Sequence, residues 1–378
     1  ASIPVRAVHI HHGLQKDADD WADFCRDICN NMGVIYEVKR VQIIKKTRRG
    51  LEDLAREARY HALWQSVAAS GRLLTAHHQR DQAETFFLRL LRGSGVKGLA
   101  SMRESFPYTD NRYLTRPMLS IPYTVIDDYA HTHQLLWVED PSNTEVHFKR
   151  NAIRHQLLPI LNPQHPEQAV QIIAQTCDLL DEATDLLDMM ASEDWKKIAI
   201  SERSCTLSAW RSLPWIRAKQ VLSWRWQNLG AQPFTQAQWY EIERQFYHSV
   251  AKDKHPILDW HENHLVLGAE KLWLLTDNYL TDIEPISAKS SPISWGEWGI
   301  IEIKNQKVAP KGGYYWRMRR PGDEINTESG RKRLKDWFQK QYDLPYWQKQ
   351  RWPVLCNTEH KVIGWANWSE DFLLTSKI

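Results

Sequence analysis

The chain has 378 residues, 42% hydrophobic and 25% charged, with a formal net charge of +3. That length exceeds what one hydrophobic core serves, and no run of about 18 apolar residues offers a membrane span, so a cytoplasmic, membrane-free protein of two or three domains is expected. Five cysteines, at 25, 29, 177, 205 and 356, form no CxxC pair, which argues against a zinc ribbon, a disulfide scaffold or any metal site, and the small net charge leaves attraction for nucleic acid to local clusters.

The opening ASIPVRAVHIHHGL has no initiator methionine and no secretory leader, and reads as cut into. Residues 4–10 alternate as a strand, and His11, His12 and Gly13 turn the chain into a helix predicted from Asp17 to Met32. A second strand, VIYEVKRVQI, follows, then a helix over Gly50–Ala69, a strand over 72–76 and a helix over Asp81–Arg92. Strand alternating with helix is the pattern of an α/β domain with a mostly parallel sheet, whose binding crevice lies beyond the carboxyl ends of the strands. His11, His12, His77 and His78 all follow such ends.

Near residue 163 the pattern changes to helices, including a long one from Glu167 to Trp195, and closes in a hairpin, HLVLGAEKLWLL. From about 284 a small mixed domain is predicted: strands around SWGEWGIIEI, a basic stretch, a helix RLKDWFQKQY and a strand pair near PVLCN and VIGWANW. The expected division is 1–162, 163–283 and 284–378. Fifteen of the nineteen tryptophans lie after residue 200, and most are assigned to cores.

Several stretches carry the residue types of a site. Asp81 and Glu84 are three apart and project from one helical face; an Asp followed by Glu at that spacing also reads as a capping box. His77 and His78 lack a third metal ligand. GSGVKG, 93–98, has no Lys-Ser or Lys-Thr at Walker spacing, so Gly93 and Gly95 end a helix or let backbone approach a ligand. Arg56 and Arg59, one helical turn apart, suit phosphate oxygens; the plainer reading is a solvated face with Glu52 paired to Arg56 and Leu51, Leu54, Ala55 and Ala58 inward. Lys149, Arg150 and Arg154 form either a basic surface helix or an anion contact.

Between Trp316 and Arg351 ten Lys and Arg face five acids, interleaved with Tyr and Trp, which suits tracking of nucleic-acid phosphates. Arg319, Arg320, Arg331, Lys332, Arg333 and Lys335 are the expected contacts.

Taken in order, HIHHGL, GLEDLAREARY, TAHHQRDQAETFFLRLLRGSGVKGLASM, EDPSNTEVHFKRNAIRHQLLP and RMRRPGDEINTESGRKRLKDWFQKQYDLPYWQKQRWPVL resemble the tRNA(Ile)-lysidine synthetase family of N-type ATP pyrophosphatases. The resemblance implies a parallel PP-loop sheet, then a helical domain and a small α+β domain. It implies a ligase using ATP and Mg2+ that adenylates C2 of the wobble cytidine of an isoleucine tRNA with a CAU anticodon, after which free lysine displaces AMP. It implies catalytic places for Asp81, Glu84 and His78, and nucleotide-phosphate places for Arg56, Arg59, His11, Gly93 and Gly95. Arg150, Asn151 and Arg154 would support the site or the tRNA, and a homodimer is an admitted assembly.

This sequence departs from the family pattern twice. Arg80 stands where many relatives carry an acid, and modulation of activity is the expected consequence. The family's SGGxDS phosphate loop occurs nowhere in these residues and should lie upstream of Ala1, so the central first strand is missing, two sheet edges are left unpaired, and the chain as written is expected not to make lysidine. The alternative is a non-catalytic tRNA-binding remnant. A tRNA thiolase ranks lower, because Cys25 and Cys29 sit four apart on a predicted helix and suit packing.

Overall fold

The computed structural model describes residues 3–13, 15–41, 51–108, 111–248, 256–280, 282–288, 292–295, 299–303, 313–327, 330–341, 346–366 and 372–376. Several expectations fall outside them: the end of the second strand at Gln42 and Ile43, the helix start at Gly50, the side chains of Leu51 and Glu52, and residues 296–298 of SWGEWGIIEI. The same holds for Glu328, Asp343 and the Lys340 side chain of the basic stretch. The chain divides into two compact units, residues 1–185 and 186–378. No helix among the described residues is long and apolar enough to cross a membrane.

The first unit runs β1 (Arg6–His11), α1 (Ala18–Asn31), β2 (Ile35–Arg40), α2 (Leu51–Ser66), β3 (Arg72–Leu74), α3 (Gln79–Leu90), α4 (Val96–Leu99), β4 (Ser105–Pro107), β5 (Tyr113–Thr115) and α5 (Tyr123–Thr132). β1 pairs with β2 and β3 with β5, both in parallel, while β4 lies antiparallel to β5. The two sheets share no ladder among the described residues. Trp64, Leu73 and Leu114 bury α2 against β3 and β5, with Tyr60, Leu63 and Val67 packed around them.

A 3-10 turn (Pro141–Thr144) and α6 (Lys149–Ala152) follow, and a π turn (Ile153–Leu157) leads into α7 (Leu158–Leu161) and the long α8 (Pro166–Ile198). Ala83, Ile153, Leu158 and Val170 form one buried cluster with Phe87 and Leu88 beside it. The apolar side of α3 therefore fixes the π turn and the start of α8, and with them the polar residues on either side.

The second unit begins with the rest of α8, then β6 (Ala199–Ser201), β7 (Ser204–Thr206), α9 (Leu207–Ser212), α10 (Trp215–Asn228), α11 (Gln236–Ile242), β8 (Ile257–Trp260), β9 (Asn263–Gly268), β10 (Lys271–Thr276) and α12 (Asp277–Leu280). β9 and β10 form the expected hairpin within an antiparallel sheet. Next come β11 (Ile286–Ser287), β12 (Ile293–Ser294), β13 (Gly299–Ile303), β14 (Tyr315–Met318), β15 (Glu324–Thr327) and β16 (Gly330–Arg333). The unit ends with α13 (Leu334–Gln341), α14 (Tyr346–Arg351), β17 (Pro353–Cys356), β18 (Val362–Trp365) and β19 (Phe372–Ser376). Ten tryptophans are buried among the described residues, nine of them from Trp195 onward, so this aromatic content is core, as the sequence suggested.

Candidate functional site

The site gathers at the start of α3, beyond the carboxyl end of β3. The sequence reading begins this helix near Asp81 and leaves open, beside a pair of site carboxylates, a capping box headed by Asp81 with Glu84. The structure corrects both points. α3 starts at Gln79, and Asp81 is its third residue, accepting the His78 backbone N–H on Oδ2 at 3.0 Å. Glu84 lies one turn further on, takes no part in the cap, and is 0% exposed.

Glu84 is buried because two guanidiniums meet it. Arg150 Nε donates to Oε2 at 2.5 Å and Arg154 Nε to Oε1 at 2.6 Å, so each oxygen accepts a charge-assisted bond. A terminal nitrogen of Arg150 also donates to Asp81 Oδ1 at 2.7 Å. A buried carboxylate needs hydrogen-bond donors on both oxygens, and here each oxygen has a guanidinium. Arg154 lies within the π turn, a local widening that recurs at functional sites, and there both arginines converge on one carboxylate. Asn151, between them, is buried and donates to the Ser142 and Glu145 carbonyls at 2.8 and 3.0 Å, tying α6 to the preceding 3-10 turn.

The surroundings are cationic. Burial pulls the His77 ring down to about 4; Asp81 opposes this, and Arg116, Arg150 and Arg56 reinforce it. Its Nδ1 lies 2.9 Å from the Thr75 hydroxyl. Burial likewise lowers Arg59, with Arg56 and Arg150 acting in the same direction, so this α2 arginine feels the α6 guanidinium that meets Asp81 and Glu84. Burial pushes the Asp81 carboxyl up, but Arg150, the His78 ring and amide, and His77 outweigh it and hold it below its ordinary value. Five arginines (56, 59, 116, 150 and 154) thus accompany two carboxylates. A site with that surplus favours anions.

His78 is lowered by burial first, while Asp81 and Glu84 oppose the shift. Its Nε2 stands 3.5 Å from Asp81 Oδ2, and its Nδ1 is buried without a partner among the described residues. Arg80 turns away from this cluster, pairing with Glu167 and placing its guanidinium 4.2 Å from the Tyr123 ring centroid.

Other expected residues are not brought here. His11 is buried between Arg40 and Asp19, 3.3 Å from each. α3 runs about 14 Å along its axis from Asp81 to its last residue, Leu90, at 1.5 Å per residue, and Gly93 and Gly95 stand past that far end. Gly93 has φ +74, open space surrounds both, and they serve turns. Sequence reasoning missed Arg116 as a site residue and left His77 as a side chain that bonds the sheet end or lines a pocket. The signal for His77 was its place after a strand end; for Arg116, between a short strand and a turn, there was none. In the second unit Arg331, Lys332 and Arg333 are exposed on β16 and Lys335 on α13, with Glu324 3.3 Å from Arg331.

Residues 1–161 match a family model described as a PP-loop domain, and residues 315–366 one described as the TilS substrate C-terminal domain. The chain is 31% identical over 365 residues to a tRNA(Ile)-lysidine synthase of Hydrogenovibrio crunogenus, covering 93% of this chain and 84% of that protein. It is 39% identical over 258 residues to the one of Haemophilus ducreyi, covering 68% of this chain and 59% of that protein. With the one of Alkalilimnicola ehrlichii it shares 34% identity over 395 residues, covering 97% of this chain and 83% of that protein.

Proposed function

The chain belongs to the tRNA(Ile)-lysidine synthase family, and from that premise we propose how its residues serve ATP-dependent ligation of lysine to the wobble cytidine of isoleucine tRNA. The observation that carries the reading is the buried set Asp81, Glu84, Arg150 and Arg154 inside a segment that matches the PP-loop domain.

In the first step the cytosine C2 oxygen attacks the α-phosphorus of ATP, the bond to the β-phosphate oxygen breaks, and pyrophosphate leaves. Arg56, Arg59 and Arg116 supply the positive charge that the departing anion meets. In the second step the lysine side-chain amine attacks C2 and AMP departs with the oxygen. Asp81, held ionised, is the acceptor that orients the lysine ammonium. The neutral His78 ring is the base assigned to take the proton that the lysine amine releases as the C–N bond forms, and Asp81 beside its Nε2 stabilises the resulting imidazolium. Glu84 acts through the arginines it aligns.

Mg2+ travels with ATP as its phosphate counter-ion. The described residues contain no group of three His, Cys, Asp or Glu that could hold a metal, and both site carboxylates face guanidiniums. They do not fit a protein cage for the ion, and no step is assigned to it.

The test is incorporation of labelled lysine into isoleucine tRNA with a CAU anticodon. It is measured for these residues alone, which carry no SGGxDS loop and are expected to be inactive, and for the same chain with that strand and loop supplied ahead of it, the active parent for all variants. ATP-dependent incorporation by that parent, with one AMP and one pyrophosphate released per lysine, supports the reading. Binding of that tRNA with no incorporation by the parent at any ATP concentration supports a non-catalytic tRNA-binding protein instead.

A further inference from the structure

A second cationic feature lies in the C-terminal part of the second unit and differs in shape from the first. A cavity of about 600 Å3 is lined by five cationic residues, Arg317, Arg319, Arg320, Lys335 and Arg351, by the acids Asp282 and Glu284, and by apolar residues that include Ile283 and Pro285. Arg317 is committed to Asp323 in a two-pronged pair at 2.7 and 2.9 Å. Arg319 donates to the Lys349 carbonyl at 2.7 Å and lies over the Phe338 ring. Burial lowers Arg351, with Asp282 opposing.

Arg320 and Lys335 are different. Both are exposed at the mouth, and neither side chain has a carboxylate within 4 Å among the described residues. The backbone N–H of Arg320 donates to Asp323 Oδ2 at 2.7 Å, so the turn that presents its side chain is itself anchored to the Arg317 pair. Opposite them the segment 282–285 alternates acid and apolar residues, Asp282 and Glu284 with Ile283 and Pro285, and the Ile283 N–H donates to the Met318 sulfur at 3.3 Å, fixing that side.

The volume is several times that of a phosphate group and falls in the range of small-ligand pockets. A duplex presents its phosphates on a convex ridge, which a concave pocket admits poorly. A single-stranded nucleotide enters with its phosphate toward the cations and its base toward apolar walls. Resting on the tRNA reading above, we propose that this cavity seats an unpaired nucleotide from the single-stranded 3′ end of the bound tRNA. Its phosphate lies on Arg320 and Lys335, and its base and ribose lie against Ile283 and Pro285. A groove for stem phosphates would instead use the open face of β16.

The test compares binding of intact isoleucine tRNA and the same tRNA trimmed of its unpaired 3′ nucleotides, using the whole chain and its Arg320→Gln/Lys335→Gln form. Loss of one phosphate-held nucleotide is expected to weaken the unaltered protein roughly five- to tenfold. The double variant is expected to bind intact tRNA about as weakly as the unaltered protein binds trimmed tRNA, with no further loss on trimming. Both side chains are exposed, so its unfolding curve should be unchanged. Equal affinity of the unaltered protein for intact and trimmed tRNA overturns the proposal, as does a variant that still discriminates. If the unaltered protein binds neither tRNA, the tRNA reading itself has failed, and the two failures are distinguishable.

Discussion

Around Glu84, the side chains of Arg150 and Arg154 are only 25% exposed and touch carboxylate oxygens at 2.5 and 2.6 Å; on β16, those of Arg331 and Arg333 are 70% and 74% exposed and share Glu324 at 3.3 and 4.0 Å. The same side chain does two kinds of work. Buried and bonded on both sides, a guanidinium has a fixed position and can set the geometry of a reaction. Exposed beside a single acid, it contributes little to folding and acts at a distance through a field that salt screens. A basic stretch in a sequence therefore says little until one knows which acids reach it.

The contrast can be broken most forcefully at Glu84. Glu84→Gln leaves two largely buried guanidiniums facing an amide, and should cost about 2–4 kcal/mol of stability in the first unit and abolish ligation. Denaturant unfolding measures the first and lysine incorporation the second. A variant as stable as the parent would show that the cluster is solvated and that burial does not distinguish the two regions.

On the other side of the comparison, replacing Arg331, Lys332 and Arg333 by Ala should leave stability within about 0.5 kcal/mol. Affinity for tRNA should fall, and the slope of log affinity against log salt should flatten, by up to roughly 0.7–0.9 for each phosphate that is no longer neutralised. An unchanged slope would remove these residues from the tRNA surface.

A smaller effect sharpens the first region alone. The folded state keeps His77 neutral down to about pH 4, whereas the unfolded chain takes up the proton near 6.5. Between those values the unfolded state binds more protons, so stability falls as pH falls and levels off below about 4. His77→Gln should remove this part of the pH dependence, on the order of 1–3 kcal/mol, read as the difference between the two unfolding-versus-pH curves.

Much of the site was legible in the sequence. Asp81 and Glu84 share a helix face, and their position beyond the end of β3 follows from strand–helix alternation. The meeting of Arg150 and Arg154 on Glu84 was not legible. It depends on the π turn at Ile153–Leu157 and on the apolar contact of Ala83 with Ile153, a pairing seventy residues apart in the chain that no local pattern encodes. The helix start was misplaced for a local reason: His78 is an uncommon cap, and Asp81 looked like the better one until its carboxylate was found bonded to the His78 amide. The resemblance gave His11 a phosphate place, but Arg40 and Asp19 hold it. Gly93 and Gly95 matched a phosphate-loop composition, yet the length of α3 carries them away from Asp81.

The account's central claim is that Asp81 serves the lysine step while the surrounding arginines serve the nucleotide step. The most direct measurement separates the two half-reactions in Asp81→Asn: tRNA-dependent exchange of pyrophosphate into ATP, and transfer of labelled lysine to tRNA. The account expects exchange within a few-fold of the parent and lysine transfer reduced by about 10^2-fold or more. Loss of exchange in step with transfer would contradict it, because Asp81 would then belong to the nucleotide site.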